Sequence, residues 1–315
     1  MNPYLHGFGV HLPSRIVTNQ ELADRVGRTA DWIENASGIR ERRWATGEET
    51  VADLAVAAAE DCFNRTQFTP NQIGLLIATS GSAPPGFPGP TAEIAQRLNL
   101  TTTPAIDLPI ASAGSIFGLS LARQLAPAYG TVLLVATEKM SDLIGVHKAD
   151  AELDPNTAIL FGDGAAAAAI STAPGPWQLL DSILHSDGAY RDALRYDGQS
   201  LHMDGLSVIL QASRKLPAVI QEVLGKHSIA AQDVGAFLIH QANLNLLTRV
   251  GKALGVTREA VFSNVERLGN TSSASMLLAA AEWAESDAGR ANRKPLVFAG
   301  FGAGFHWGAA IAMPV

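Results

Sequence analysis

The sequence predicts an α/β fold of two similar halves, with mixed, mostly parallel sheets and helices in layers on their faces. Three observations lead there. Short apolar runs rich in Val, Ile and Leu recur at 73–79, 131–137, 235–240 and 295–299, the length and composition of buried strands. Stretches with helical spacing of apolar residues lie between them, and that alternation favours crossovers onto a parallel sheet. The third is an internal duplication. Thr69-Pro70-Asn71-Gln72-Ile73-Gly74-Leu75-Leu76-Ile77-Ala78 reads like Ala230-Ala231-Gln232-Asp233-Val234-Gly235-Ala236-Phe237-Leu238-Ile239, a polar turn and then a buried strand. Phe161-Gly162-Asp163-Gly164 and its run of small residues likewise matches Phe301-Gly302-Ala303-Gly304 and the strand after it.

Taken along the chain, Thr50 and Asp53 have the spacing of a capping box and predict a helix through Cys62. The first buried strand follows at 73–79, then a helix at 113–128 and a strand at 131–137. The small residues after Gly164 predict a strand that other layers approach closely on both faces. Pro174-Gly175-Pro176 is a turn-rich link. We place the division there, giving halves 1–174 and 175–315. In the second half a helix is expected at 208–225, broken or bent near Pro217. Further helices are expected at 244–254 and 273–286, flanking the strands at 235–240 and 295–299.

With 315 residues, 47% apolar and 17% charged, the chain has the material for a substantial core and not the composition of a disordered one. A net charge of -7 argues against nucleic acid as a partner. Every long apolar stretch is cut by Gly, Pro or charge, so no membrane span is expected. Met1 to Val10 lacks a basic segment followed by an apolar block, so no secretory leader is expected, and a cytoplasmic protein is the default. Cys62 is the only cysteine, which excludes an intrachain disulfide and any cysteine-built metal site. No bound cofactor or metal is expected.

Three segments carry candidate chemistry: Asp107-Leu108-Pro109-Ile110-Ala111-Ser112-Ala113-Gly114, His240-Gln241-Ala242-Asn243 and Gly269-Asn270-Thr271-Ser272. Ser112 precedes the helix expected from Ala113, where it would face unsatisfied N–H donors and the positive end of the helix dipole. That setting would ionise a thiol, but an alcohol is too weak an acid and needs a general base. His240, at the end of a strand, is the candidate base. Taken singly, each residue has a plainer explanation: Ser112 as a helix cap, His240 as a structural histidine and Asn270 as a turn or cap residue.

Together, these segments resemble the ketoacyl-acyl-carrier-protein synthase III family of the thiolase superfamily. Further matches are Trp32-Ile33 through Gly38-Ile39-Arg40-Glu41-Arg42, Gly86-Phe87-Pro88, Phe161 to Gly164, Met203-Asp204-Gly205, and Phe301 through Gly308. The resemblance implies a thiolase-like fold and a homodimer acting on acyl thioesters of coenzyme A or acyl carrier protein. It implies that residue 112 takes the acyl group from a thioester, and that His240 and Asn270 assist decarboxylation of a malonyl extender by hydrogen-bonding the developing enolate. Backbone N–H groups of Ser112 and Ala303 would form the oxyanion hole. Trp32 would stack on the coenzyme A adenine, Leu206 and Gly304 would contact substrate, and Phe87 would close the partner's acyl pocket.

The chain also departs from the family pattern. Ser112 stands where the nucleophilic cysteine is expected. Ala36 and Pro155 stand where adenine-contacting arginines are expected, Leu206 replaces a polar pantetheine contact, and Asn245 replaces another arginine. These losses favour a carrier-protein donor over coenzyme A. Arg249 and Lys252, three residues apart on one helix face, together with Arg214 and Lys215, form a candidate dock for an acidic carrier protein. Decarboxylative condensation is the leading reaction. The alternatives are acyl transfer from Ser112 to an oxygen or nitrogen acceptor, a synthase slowed by an engineered cysteine-to-serine replacement, and a catalytically silent subunit of a condensing pair. A serine hydrolase lacks its Gly-x-Ser-x-Gly elbow here.

Overall fold

The structure is a computed structural model that describes residues 3–148 and 153–315. Its main body is a nine-stranded sheet of β1 (Tyr4–His11), β2 (Ile73–Thr79), β3 (Ala105–Leu108), β4 (Thr131–Lys139), β5 (Asp163–Ser171), β6 (Trp177–Ser186), β7 (Ala236–Ile239), β8 (Leu296–Gly302) and β9 (His306–Pro314). The strand order is β7-β8-β9-β6-β1-β5-β4-β2-β3. Among the described residues β6 and β1 meet at the seam between the halves in two pairs, Tyr4 opposite Gln178 and Leu5 opposite Trp177. Outward from that seam, β1-β5-β4-β2 on one side repeats β6-β9-β8-β7 on the other. The duplication read from the two sequence matches is therefore a duplication of topology, and β3 is the one strand without a counterpart. The sheet is mixed. Parallel pairing occurs at β4–β2, β2–β3 and β7–β8, where the paired strands are separated in the chain by helices, as a parallel pair requires. The strands nearer the seam pair antiparallel.

Among the described residues, five helices of eleven or more residues pack around the sheet: α1 (Val51–Thr66), α2 (Gly114–Tyr129), α3 (Gly205–Lys226), α4 (Leu244–Leu254) and α5 (Ser275–Glu285). The expected capping box opens α1: the Asp53 N–H donates to Thr50 Oγ1 at 3.1 Å and the Thr50 N–H to Asp53 Oδ2 at 2.7 Å. Asn243 Oδ1 accepts the Leu246 N–H at 2.8 Å to start α4, and Gly255, with φ +67°, ends it. Of the break or bend expected near Pro217, the break does not occur: α3 continues from Gly205 through that residue. Packing supplies the reason: Leu216, Pro217, Val219 and Ile220 are all buried against the sheet, which compensates for the hydrogen bond that proline cannot make.

Strand alternation sorts the core into layers. From β5, Ala165, Ala167 and Ala169 join the cluster under α1, whereas Ala166, Ala168 and Ile170 join the one built around α2 and α5. From β8, Val297 and Ala299 face α3 and α4, whereas Leu296 and Phe298 face α2 and α5. α2 and α5 thus form a central layer against which both halves pack, and each half carries its own outer helices. The loops entering the two central helices hold Ser112 and the segment Asn270–Ser273. The fold brings these loops together.

Candidate active site

Ser112 lies on the tight connection from β3 into α2, is 7% exposed, and has φ +60°. A left-handed backbone costs a residue with a Cβ about 1–2 kcal/mol, so surrounding contacts must hold it there. Gly302 supplies one of them: a Cβ at that position would lie 2.2 Å from Ala111 O and 2.9 Å from Ser112 Cβ, so only glycine lets β8 pass this close. The helix-cap explanation for Ser112 does not hold. The N-cap of α2 is Ala113, with no side-chain capping bond. Instead the Ser112 N–H donates to Ser272 Oγ at 2.9 Å, and the two hydroxyl oxygens lie 3.4 Å apart. Ser272, at the entrance to α5, is also left-handed, with φ +45°. The two serines occupy corresponding places ahead of the two central helices.

His240 follows β7, and its backbone N–H continues the strand by donating to Ala299 O at 2.8 Å. Its Nδ1 lies 2.6 Å from Ser275 Oγ, which leaves Nε2 without a protein partner among the described residues. Burial pushes the imidazole down to about 4, against a smaller opposing effect from the Ser272 backbone carbonyl. At neutral pH roughly one molecule in a thousand carries the charged ring, so His240 acts as a neutral group. Asn270 is held through its backbone, donating its N–H to Leu160 O at 2.8 Å and accepting the Gly162 N–H at 3.0 Å. Its Oδ1 accepts the Ser272 N–H at 2.9 Å, and among the described residues the amide nitrogen has no hydrogen-bond partner. The buried guanidinium of Arg42 braces the segments on either side of Asn270. It donates to Asn19 Oδ1 and Ile159 O, both at 2.7 Å, and a Cβ on Gly269 would come within 2.9 Å of Arg42 Cβ.

One cavity of ≈ 100 Å³ is lined by Ser112, His240 and Asn270 together, with Phe161, Phe301 and Gly302 around them. A second, of ≈ 70 Å³, lies on the other side of Ser112 and is walled by Met140, Leu143, Leu194, Leu201, Ser272 and Ala303. The three expected residues therefore converge, and Ala303 joins Ser112 at the second cavity. Ser112 and His240 are not hydrogen-bonded to each other. Gly304 lines a separate, larger cleft of ≈ 660 Å³ beside Ala303. Trp32, Phe87 and Leu206 line none of these cavities and are 41%, 97% and 78% exposed. The Trp32 ring is already covered by the Arg28 guanidinium, 5.1 Å from its centroid.

Sequence reasoning did not single out Ser275 or the hydroxyl of Ser272, although both fall within the polar run after Asn270. Their partners lie 35 and 160 residues away, and only the meeting of the central helices reveals them.

The chain matches the model of 3-oxoacyl-[acyl-carrier-protein] synthase III over residues 106–188 and that of its C-terminal part over 224–313. It is 33% identical to a beta-ketoacyl-[acyl-carrier-protein] synthase III of Methylococcus capsulatus, with 97% of each chain covered. The chain belongs to the beta-ketoacyl-[acyl-carrier-protein] synthase III family. Solved synthase III structures agree. Those of Aquifex aeolicus and Pseudomonas aeruginosa superpose with a TM-score of 0.92 each, at 28% and 29% identity, covering 99% and 100% of this chain and 99% and 98% of theirs. The fold is the thiolase-like fold of that family, and the protein is a synthase III-type acyltransferase. Among the described residues, no helix is long and apolar enough to cross a membrane.

Two buried groups give this synthase III opposing pH responses. Between about 4 and its ordinary 6.5, His240 is protonated in the unfolded chain and not in the folded one, so stability falls as pH drops through that window. Burial pushes the Asp163 carboxyl up from 3.8 to about 6, so between those values the folded chain holds the extra proton and stability rises as pH drops. Relative to wild type, His240→Phe should gain stability on acidification and Asp163→Asn should lose it, each by about 1 kcal/mol per pH unit. Chemical denaturation across pH 4 to 6 checks this, and variant curves that stay parallel to wild type would remove these groups as the source.

Proposed function

We propose that the protein takes an acyl group from a thioester onto Ser112 Oγ and then joins it to a malonyl thioester by decarboxylative condensation. The observation that carries this reading is the single cavity shared by Ser112, His240 and Asn270. In the first step Ser112 Oγ attacks the thioester carbonyl and the thiol leaves with the serine proton, passed through the unprotonated Nε2 of His240. In the second step carbon dioxide leaves the malonyl group, and the enolate oxygen is stabilised by the Asn270 amide nitrogen and by His240 in its other neutral tautomer, with Ser275 Oγ donating to Nδ1 and the Nε2–H facing the oxygen. The carbanion then attacks the Ser112 ester, forming the new carbon–carbon bond and breaking the ester bond, and the departing serine oxygen takes a proton from solvent by way of His240. The N–H groups of Ser112 and Ala303 serve the oxyanion of both acyl transfers, which requires Ser272 Oγ to give up its bond to the Ser112 N–H.

On the same proposal the donor is a carrier protein rather than coenzyme A. Trp32 is stacked by Arg28, and Ala36 and Pro155 offer no cation for a nucleotide. Arg214, Arg249 and Lys252 are exposed on the adjoining helices α3 and α4, with no ion pair among the described residues, and fit an acidic dock. Lys215 is committed elsewhere, 3.4 Å from Asp187 and 3.9 Å from the centre of the Trp307 ring. The exposed edge strand β3 and the projecting Phe87 support a homodimer formed across that edge; a monomer in sedimentation would remove this part. We further propose the chain division at 174 and a cytoplasmic location.

Intact-protein mass spectrometry after incubation with acyl-carrier and acyl-coenzyme A thioesters tests the core of the reading. The expected result is an acyl adduct that is absent in Ser112→Ala. No adduct with any donor would favour a silent subunit, and an adduct discharged by hydroxyl or amine acceptors but not by malonyl thioester would favour the alternative acyl transfer.

A further inference from the structure

Behind the Ser112 loop lies a carboxylate that the reaction above does not use. Glu138, the penultimate residue of β4, is fully buried, and among the described residues no Lys, Arg or His forms an ion pair with it. A carboxylate removed from water without a cation must have its oxygens filled by other donors. Here the Ser273 N–H reaches Oε1 at 3.1 Å, the Gly81 N–H lies 3.0 Å from both oxygens, and the hydroxyls of Ser82 and Ser80 lie 2.5 and 3.4 Å from Oε2.

These donors belong to two segments that enclose Ser112. Gly81 packs so closely on residue 111 that a Cβ there would lie 2.4 Å from Ala111 Cβ. Ser273 adjoins Ser272, whose hydroxyl holds the Ser112 N–H. Glu138 itself lines neither cavity beside Ser112. We infer that Glu138 is a positioning residue for acyl transfer: by tying Gly81 to Ser273 it holds the two walls that keep Ser112 in its left-handed conformation. This rests on the reading of Ser112 as the acyl carrier. If Glu138 served the fold alone, the two segments would still need an anchor, but the acylation rate of folded molecules would not depend on it.

Glu138→Gln puts an amide NH₂ where one oxygen now accepts, so at least one donor faces another donor. The expected result is a single-turnover acylation rate at saturating thioester about 10- to 100-fold lower per folded molecule, with the half-saturating concentration unchanged. Ser82→Ala removes one hydroxyl donor and should give a smaller loss with the same pattern, and it stands in if Glu138→Gln does not fold. Amide hydrogen exchange on the same samples should accelerate over 80–83, 110–113 and 272–275 and not elsewhere. Wild-type acylation rates in both variants, or a loss expressed only as weaker saturation, would overturn the inference. A wild-type protein that does not acylate overturns the Ser112 reading instead; unchanged exchange in the variants would then dispose of the positioning role by itself.

Discussion

Replacing Ser112 with cysteine is expected to raise the rate of condensation by about 100-fold or more. The reason lies in what surrounds the serine. Among the described residues its hydroxyl has one hydrogen-bond partner, Ser272 Oγ at 3.4 Å, and no base in hydrogen-bond contact. An alcohol held ahead of a helix stays protonated, because a dipole that moves a thiol into the ionisable range leaves an alcohol far above it. The second half-reaction adds to the effect, since a carbanion attacks a thioester more readily than the ester that Ser112 would form. The measurement is formation of the condensed product from acyl and malonyl thioesters by the two forms side by side. A lower rate in Ser112→Cys, or a shift toward hydroxyl or amine acceptors, would identify serine as the working nucleophile and the alternative acyl transfer as the reaction.

His240→Ala is expected to lower malonyl decarboxylation by about 100- to 1000-fold. A neutral imidazole anchored through Nδ1 presents one ring nitrogen to the cavity, and the Asn270 amide approaches from the neighbouring loop. Removing the ring takes away one of two groups poised around the developing negative charge. It also leaves Ser275 Oγ with the Gln241 N–H and the Ser272 carbonyl as its remaining partners, so the loop is perturbed less than the chemistry. Because burial holds His240 down to about 4, the ring stays neutral and the wild-type rate should stay level through neutral pH. An unchanged decarboxylation rate in His240→Ala would take this residue out of the mechanism.

Local features were legible from the residues themselves. The Thr50–Asp53 capping box, the strand at 73–79 and the helix at 244–254 each depend on neighbours in sequence, and each formed as its pattern indicates. The convergence of Ser112, His240 and Asn270 was legible only through resemblance, since nothing in their spacing requires one cavity. The contacts that hold them were not legible. Ser272 carries a left-handed backbone without being glycine, and Glu138 looks like the end of an ordinary strand until donors 57 and 135 residues away converge on it. Pro217 does not break its helix because tertiary burial outweighs the local preference. Arg28 over Trp32 was a missed local signal, two residues four apart at the start of a helix.

The five consecutive alanines of β5 have a consequence beyond close packing. Each is fully buried, and they alternate between the outer helix α1 and the central pair. Single methyl groups therefore set the thickness of the gap between neighbouring tiers, like shims in a machined joint. A bulkier residue at 166 or 168 would lever the central tier away from the sheet, and because α2 begins two residues after Ser112, a change of one carbon at a remote strand would be felt as misalignment at the reacting oxygen.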